Sequence, residues 1–396
     1  IKEQLPTAMQ DGQIHDIPKV AAVIKQVCDE IAKYTNQSVT QAAVAAAGRS
    51  LITHHGQATK ELEPNQEITH QKLHELELSA LQETLNQINQ HKSRTSIDTF
   101  LCVGYTTVQR YLDDQPIQNL LGHQGYSASV EIIATFLPRI VIDSLSSALR
   151  LAGLKMSSLT LEPIAAMHTV IPQSMRMLNL ALVDIGAGTS DIAISANGTI
   201  KAYGMVSEAG DLITRIIADK YLLDFMEAEK VKCQLSSKSI SCEDVLGNQR
   251  EIDSSSVLTL IKPAVSQLAA KISSEISALN EGPPKGVMLI GGGSLTPQIA
   301  EQISKQLQLP ANLVRIRERA ALKEIKGAQQ HLGPQLITPI CIGYHHLDGL
   351  AMQLQKVEVN NQVIQFLKMP NTTVGDALIN AGYTVHDLLG TREEQF

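Results

Sequence analysis
Residues suited to chemistry concentrate in one stretch, Asp184-Ile185-Gly186-Ala187-Gly188-Thr189-Ser190-Asp191. Glycine at 186 and 188 lets backbone amides approach a phosphate where a Cβ would obstruct, and Thr189 and Ser190 add hydroxyl donors. Two carboxylates beside phosphate make electrostatic sense only with a cation between them, so Asp184 and Asp191 imply magnesium, held through water. An apolar run over 178–183 leads into the loop, and alternating apolar residues lead out. Asn197-Gly198 then returns the chain to Thr199-Ile200, the signal of a type I′ hairpin. The segment therefore reads strand, glycine loop, strand, hairpin, strand. Two better-known glycine loops do not fit. A dinucleotide fingerprint needs a third glycine where Asp191 stands and a helix where a strand follows, and the P-loop needs Gly-Lys-Ser/Thr. The bland alternative is an ordinary hairpin between buried strands.

Four other groups stand at chemically suggestive positions. Glu162 precedes Pro163 at a predicted helix start, where a carboxylate is favoured by the helix dipole whether or not it has a further task. Glu208-Ala209-Gly210-Asp211 opens an amphipathic helix expected to run to about residue 225. Glu229 and Lys232 lie three apart on one helical face, and the bland reading is a solvent-exposed ion pair. A buried strand over 287–290 breaks into Gly291-Gly292-Gly293-Ser294, bare backbone against which a flat purine can lie. Thr296 and Pro297 are expected to cap and begin the helix that follows.

The elements that must hold these groups fill a long chain. At 396 residues and 43% hydrophobic, it can bury at least two cores. The net charge of −7, without a long basic run, argues against nucleic acid as partner. Aromatics make up 3%, with no tryptophan, which argues against a stacking platform for bases. Five cysteines without CxxC spacing, Cys233 and Cys242 being the nearest pair, give no disulfide framework and point to a reducing cytoplasm. No stretch approaches the roughly 20 apolar residues of a membrane span. Gly12 to Pro18 leads into a helix over 19–34 that Asp16 or Pro18 would start, and a buried strand over 39–47 ends at Gly48-Arg49. A polar helix over 70–89, a strand over 99–104, a hairpin turn at 111–117, a strand over 128–135 and a helix over 138–152 follow. His54-His55 and Lys92-Ser93-Arg94 read as a solvated face, since no third metal ligand stands at suitable spacing. A serine-rich loop, strands near 245–252 and a helix over 255–280 form a smaller unit. A helix at 335–344, a hairpin over 357–364 and a helix capped by Thr372 complete the chain.

The order of these motifs resembles FtsA, a bacterial cell-division family related to actin, the chaperone ATPases and the sugar kinases. The resemblance implies an α/β chain of actin-like ATPase fold, with two domains of mixed sheets flanked by helices and a nucleotide cleft between them. It divides the chain into subdomain 1A (1–56 and 155–177), a small α/β insertion of the 1C type (57–154), 2A (178–233 and 285–333), 2B (234–284), a return helix (334–354) and a β-grasp-like extension (355–396). In the family a first phosphate loop lies ahead of residue 12, and a chain without it would be at most a weak ATPase. ATP or ADP with Mg2+ is the implied cofactor. Its phosphates would meet 186–190, Gly210 and Asp211, with Ala209 standing where relatives carry a glycine. Glu229 and Lys232 would clasp ribose and adenine, 291–294 would back the base, and Glu162 would face the γ-phosphate. The partners implied are other division proteins, FtsZ among them, or the chain itself, at the cytoplasmic face of the membrane with any membrane contact indirect. A PilM-like pilus-assembly or reactivase-type module and a small-molecule kinase are the alternatives within the same superfamily.

Overall fold
The computed structural model describes residues 8–10, 13–46, 51–63, 66–90, 100–318, 322, 333–349, 351, 353–359 and 362–368. The expectations placed on Gly12, the strand end at Ala47-Gly48-Arg49, Lys92-Ser93-Arg94, Thr99 and the helix at Thr372 lie outside these residues. The chain forms two compact units, Ile1–Asn36 with Ala46–Arg49 and Leu161–Leu347, and Gln37–Ala45 with Ser50–Thr160 and Asp348–Phe396.

A two-residue pair, β1 (Met9–Gln10) and β2 (Gln13–Ile14), precedes α1 (Ile17–Thr35). Asp16 starts α1 as expected, accepting the Lys19 N–H at 3.0 Å, with Pro18 in the first turn. β3 (Gln41–Ala46) pairs with β8 (Lys155–Leu161). Between them lie β4 (Ile52–Glu61), α2 (His70–Gln90), β5 (Phe100–Leu112), β6 (Gln115–Ile117), β7 (Ser127–Pro138) and α3 (Arg139–Leu151). Their antiparallel sheet has the order β4-β7-β5-β6, and Leu76, Leu81, Val130, Ile132 and Phe136 fill its core with α2. The β5–β6 turn places Asp113 and Asp114 at φ 49° and 63° without a glycine. Asp113 holds it by accepting the N–H groups of Tyr126 and Ser127 at 2.7 and 2.8 Å.

The first unit carries α4 (Glu162–Val170), α5 (Gln173–Arg176), β9 (Leu180–Ile185), β10 (Ser190–Ala196), β11 (Thr199–Val206), α6 (Gly210–Tyr221) and α7 (Phe225–Cys233). Next come β12 (Ser239–Glu243), β13 (Gln249–Asp253), α8 (Ser254–Asn280), β14 (Gly286–Ile290), α9 (Ile299–Gln306), β15 (Val314–Ile316) and α10 (Ile337–Leu347). Its mixed sheet runs β11-β10-β9-β14-β15. β9 sits at the centre with every residue buried, which is why its sequence up to Asp184 is a continuous apolar run rather than an alternation. Asn197 and Gly198 both have positive φ, 53° and 83°, the type I′ turn their sequence predicts. Ile213, Ile217, Leu268 and Leu289 pack helices onto this sheet. The hairpin β16 (Gln353–Val359) and β17 (Gln362–Lys368) belongs to the second unit.

Several local expectations differ from the structure: the strand expected over 99–104 runs on to Leu112, the strand expected to be buried over 39–47 is mostly half-buried over Gln41–Ala46, and three more differ as follows. The helix from residue 210 stops at Tyr221, because Leu222 turns left-handed at φ 55° and Asp224 caps a new helix through the N–H groups of Met226 and Glu227. Val245 lies in the turn between β12 and β13. Thr296 caps nothing at its predicted place: a 3-10 turn, Gly292–Leu295, comes first, and α9 starts at Ile299 behind a left-handed Gln298.

Candidate functional site
All the candidate residues belong to the first unit, where the ends of β9, β14, α6 and α7 converge. β9 and β14 are parallel with Ile290 aligned to Asp184, so the loops after both strands leave from the same edge of the sheet. The return from β9 to β10 puts Asp191 directly opposite Asp184, and both are buried. Like charges facing each other across an antiparallel pair oppose folding unless something offsets them. Asp184 accepts a hydrogen bond from the Thr338 hydroxyl on α10, and Asp191 accepts one from Thr189 at 3.0 Å. Burial pushes the Asp184 carboxyl up, with the Thr338 hydroxyl pulling the other way. Glu162, the first residue of α4, is raised well above the usual carboxylate range by burial and then by the charges of Asp191 and Asp184. Three carboxylates therefore share one field. Among the described residues no group of three or more His, Cys, Asp or Glu could hold a metal ion, so a cation here would need ligands from outside the protein as well as the aspartate pair.

The glycine loop is braced by its own backbone. Gly186 donates its N–H to the Thr189 carbonyl at 3.0 Å. The carbonyls of Gly186 and Ala187 accept the N–H groups of Gly210 at 3.1 Å and Asp211 at 2.8 Å. Ala209 gives α6 no side-chain cap, and these loop carbonyls stand in for one. Ala209 is buried in extended backbone at φ −160°, a conformation alanine adopts freely, so no glycine is demanded there. The amides of Gly186, Gly210 and Asp211 are thus spent within the protein. Those of Ala187, Gly188 and Thr189 have no acceptor among the described residues. Ser190 donates its hydroxyl to the Glu208 carbonyl at 2.8 Å. A cavity of about 210 Å3 opens here, lined among others by Ala187, Gly188, Glu208, Asp211 and Arg215.

Glu229 and Lys232 pair at 2.6 Å and are tied into the same corner. The Lys232 ammonium donates to the Gly210 carbonyl at 3.3 Å and to Thr214 at 2.9 Å, and Thr214 donates to Glu229 at 2.5 Å. Burial pushes the Glu229 carboxyl up, but Lys232 and Thr214 outweigh it and hold it below the usual range. This is a partly buried network rather than a solvated pair.

The glycines after β14 have a packing reason. Gly291 has φ +81°, and a Cβ there would stand 2.2 Å from Asp184 Oδ1 and 2.4 Å from the Ile185 carbonyl oxygen. A Cβ on Gly293 would meet Ile185 Cγ2 at 2.5 Å and the Gly186 carbonyl at 2.8 Å. Gly292 is looser, with Gln335 Cβ at 3.6 Å, and buried Ser294 donates its hydroxyl back to the Gly291 carbonyl at 2.7 Å. The structure thus brings together Asp184, 186–191, Gly210, Asp211, Glu229, Lys232 and the 291–293 backbone, while Glu162 joins through charge. Sequence reading missed Thr338, Thr214 and Arg215. Arg215 carried a signal, a cation one helical turn past Asp211, and its guanidinium has no ion-pair or hydrogen-bond partner among the described residues.

The family model described as "Cell division protein FtsA" matches residues 181–338, the segment from β9 to the start of α10. FtsA of Neisseria meningitidis is 22% identical over 332 residues, covering 80% of this chain and 77% of that protein. FtsA of Pseudomonas aeruginosa is 25% identical over 223 residues, covering 53% of this chain and 54% of that protein. The chain is FtsA-like. It spans between about half and three quarters of the length of these relatives. A solved structure, the PilM-PilN type IV pilus biogenesis complex, superposes with a TM-score of 0.59 at 17% identity, covering 88% of this chain and 90% of that one. The fold of the FtsA-like chain is thus the actin-like one, with mixed sheets flanked by helices. No helix among the described residues is long and apolar enough to cross a membrane.

Proposed function
We propose that this FtsA-like chain binds an adenine nucleotide with magnesium at the β9–β10 loop and serves cell division as a nucleotide-dependent, self-associating adaptor. The observation that carries the reading is the aspartate pair. Asp184 and Asp191 are buried opposite each other, an arrangement that a divalent cation would turn from costly to favourable. The amides of 187–189 and the Arg215 guanidinium supply unspent donors for phosphate oxygens beside that pair. Glu229 and Lys232 are the groups for ribose and base, and the 291–294 turn borders the same loop. Glu162, held toward its protonated form, would lose its proton more readily once a cation neutralises the aspartates. Magnesium would supply charge neutralisation between the carboxylates and the phosphates. The insertion between β3 and β8 is read as a protein-contact module serving other division proteins or a second copy of the chain.

Calorimetry with ATP and ADP, with and without magnesium, tests the site. The parent should bind in magnesium, and Asp184→Ala should weaken binding at least tenfold in magnesium but little in its absence. Unchanged affinity of Asp184→Ala in magnesium would sink the metal role.

A further inference from the structure
The Asp184 carboxylate is held from two sides. Its Oδ2 accepts the hydroxyl of Thr338, and its Oδ1 lies over Gly291, where a Cβ would stand 2.2 Å away. Gly291 is the first residue after β14, and Thr338 is the second residue of α10. These two contacts come from one assembly. The Gly291 N–H donates to the Pro334 carbonyl at 3.2 Å, and Gln335 Cβ stands 3.6 Å from the place of a Cβ on Gly292. The 3-10 turn Pro334–Leu336 runs straight into α10. Within α10, Ile337, Cys341 and His345 are spaced by four and buried, and the His345 ring lies 5.3 Å from that of His168 on α4. The Thr338 hydroxyl is therefore placed by a packed helix and not by a loose loop. Its position in the first turn also brings the positive end of the helix dipole toward the same carboxylate.

Asp191 has a hydroxyl of its own. Thr189, two residues earlier in the glycine loop, donates to it at 3.0 Å. Each member of the pair is thus given one threonine hydroxyl, one from its own loop and one from a distant helix. A carboxylate offers about four lone-pair directions, so one hydrogen bond orients the group and leaves acceptor capacity for a cation or its water. Like charges facing each other across a strand pair gain by turning apart, whereas a cation between them needs both turned inward. We propose that Thr338 is a positioning residue for magnesium: its hydroxyl holds the Asp184 carboxylate in the orientation that a cation between it and Asp191 requires. α10 thereby sets how much magnesium nucleotide binding demands. This rests on the nucleotide reading given above. Groups that orient metal-binding side chains commonly account for about 10–100-fold in metal affinity.

Calorimetry with ADP over a magnesium series, on the whole chain, gives the magnesium concentration at which binding is half enhanced. Thr338→Val keeps the shape of the side chain and removes the donor, and Thr338→Ala removes it with less bulk. Both should raise that concentration about tenfold, with saturating magnesium restoring most of the parent affinity. Thr338→Ser keeps the hydroxyl and should follow the parent curve. A purely structural role would weaken binding by one factor at every magnesium concentration, and that result overturns the proposal. So does a valine variant with the parent's midpoint, or a serine variant displaced as far as the valine one. ADP binding by the parent that ignores magnesium would refute the metal reading and this inference with it. A magnesium-dependent parent with an indifferent Thr338 refutes this inference alone.

Discussion

Alanine in place of Gly291 should cost this protein a large part of its stability, and the structure gives the size. At φ +81° and ψ 158° Gly291 occupies a region that essentially only glycine visits, and an L-residue there costs about 1–3 kcal/mol. The added Cβ would also lie 2.2 Å from Asp184 Oδ1 and 2.4 Å from the Ile185 carbonyl oxygen. Relieving an overpacked contact of this kind costs about 1–3 kcal/mol. The sum, about 2–6 kcal/mol, is a substantial share of an ordinary folding margin of about 5–15 kcal/mol. Gly293→Ala has the crowding without the left-handed φ, so about 1–3 kcal/mol is expected. Gly292→Ala meets its nearest atom at 3.6 Å and should stay within about 1 kcal/mol. Urea unfolding followed by far-ultraviolet circular dichroism measures all three, tryptophan being absent from the sequence. The refuting result is Gly292→Ala costing as much as Gly291→Ala. The glycines would then not be explained by the packing of this turn against β9.

Glu162→Gln should stabilise the protein at pH 7 in the absence of magnesium and nucleotide. The folded-state carboxyl is raised, so its ionisation costs stability as pH climbs past the ordinary value of 4.5, and the variant escapes that cost. The two proteins should converge near pH 4, and thermal melts with an equal gap at both pH values would contradict this. Lys232→Met should cost about 1–3 kcal/mol by leaving Glu229 and the Gly210 carbonyl without their ammonium partner. Because the Glu229 carboxyl is lowered, its contribution is present above pH 4.5 and fades below it, so the loss should be larger at pH 7 than at pH 3.5 in denaturant titrations. Arg215→Ala should weaken pyrophosphate binding severalfold in calorimetry, most clearly at low salt, with unchanged folding. Ser190→Ala removes a hydroxyl that donates to the Glu208 carbonyl and should cost about 1 kcal/mol in chemical unfolding.

What could be read in the sequence was what local chemistry decides. Asp16 announces the start of α1 because its side chain caps within three residues, and Asn197-Gly198 announces its turn because both positions need positive φ. The Glu229–Lys232 pair follows from helical spacing alone. Non-local chemistry was hidden. Thr338 reaches Asp184 across 154 positions of chain, a distance no window spans. β4 was missed because its polar, histidine-bearing sequence shows little alternation, and its identity as a strand comes from pairing with β7. The break at Leu222 was missed because apolar periodicity runs through it and the cap that ends it, Asp224, looks like any other surface acid. The carbonyl cap on α6 was missed for a related reason: main-chain atoms are common to every residue, and composition says nothing of them.

That cap has a consequence for how the protein tolerates change. A helix start secured by a serine or aspartate can be lost by one substitution, whereas the joint between Gly186-Ala187 and Gly210-Asp211 is made by atoms that nearly every residue possesses. Proline at 210 or 211 is the exception, since it alone removes a donor. The side chain at Ala209 is therefore free to vary while the junction persists, whereas a Cβ on Gly210 would stand 3.2 Å from the Gly186 carbonyl that it binds, so that position is held by space and not by a cap. Two chains with little sequence in common here could share the same hinge-free corner, and a scan of side-chain truncations would pass over it without a signal.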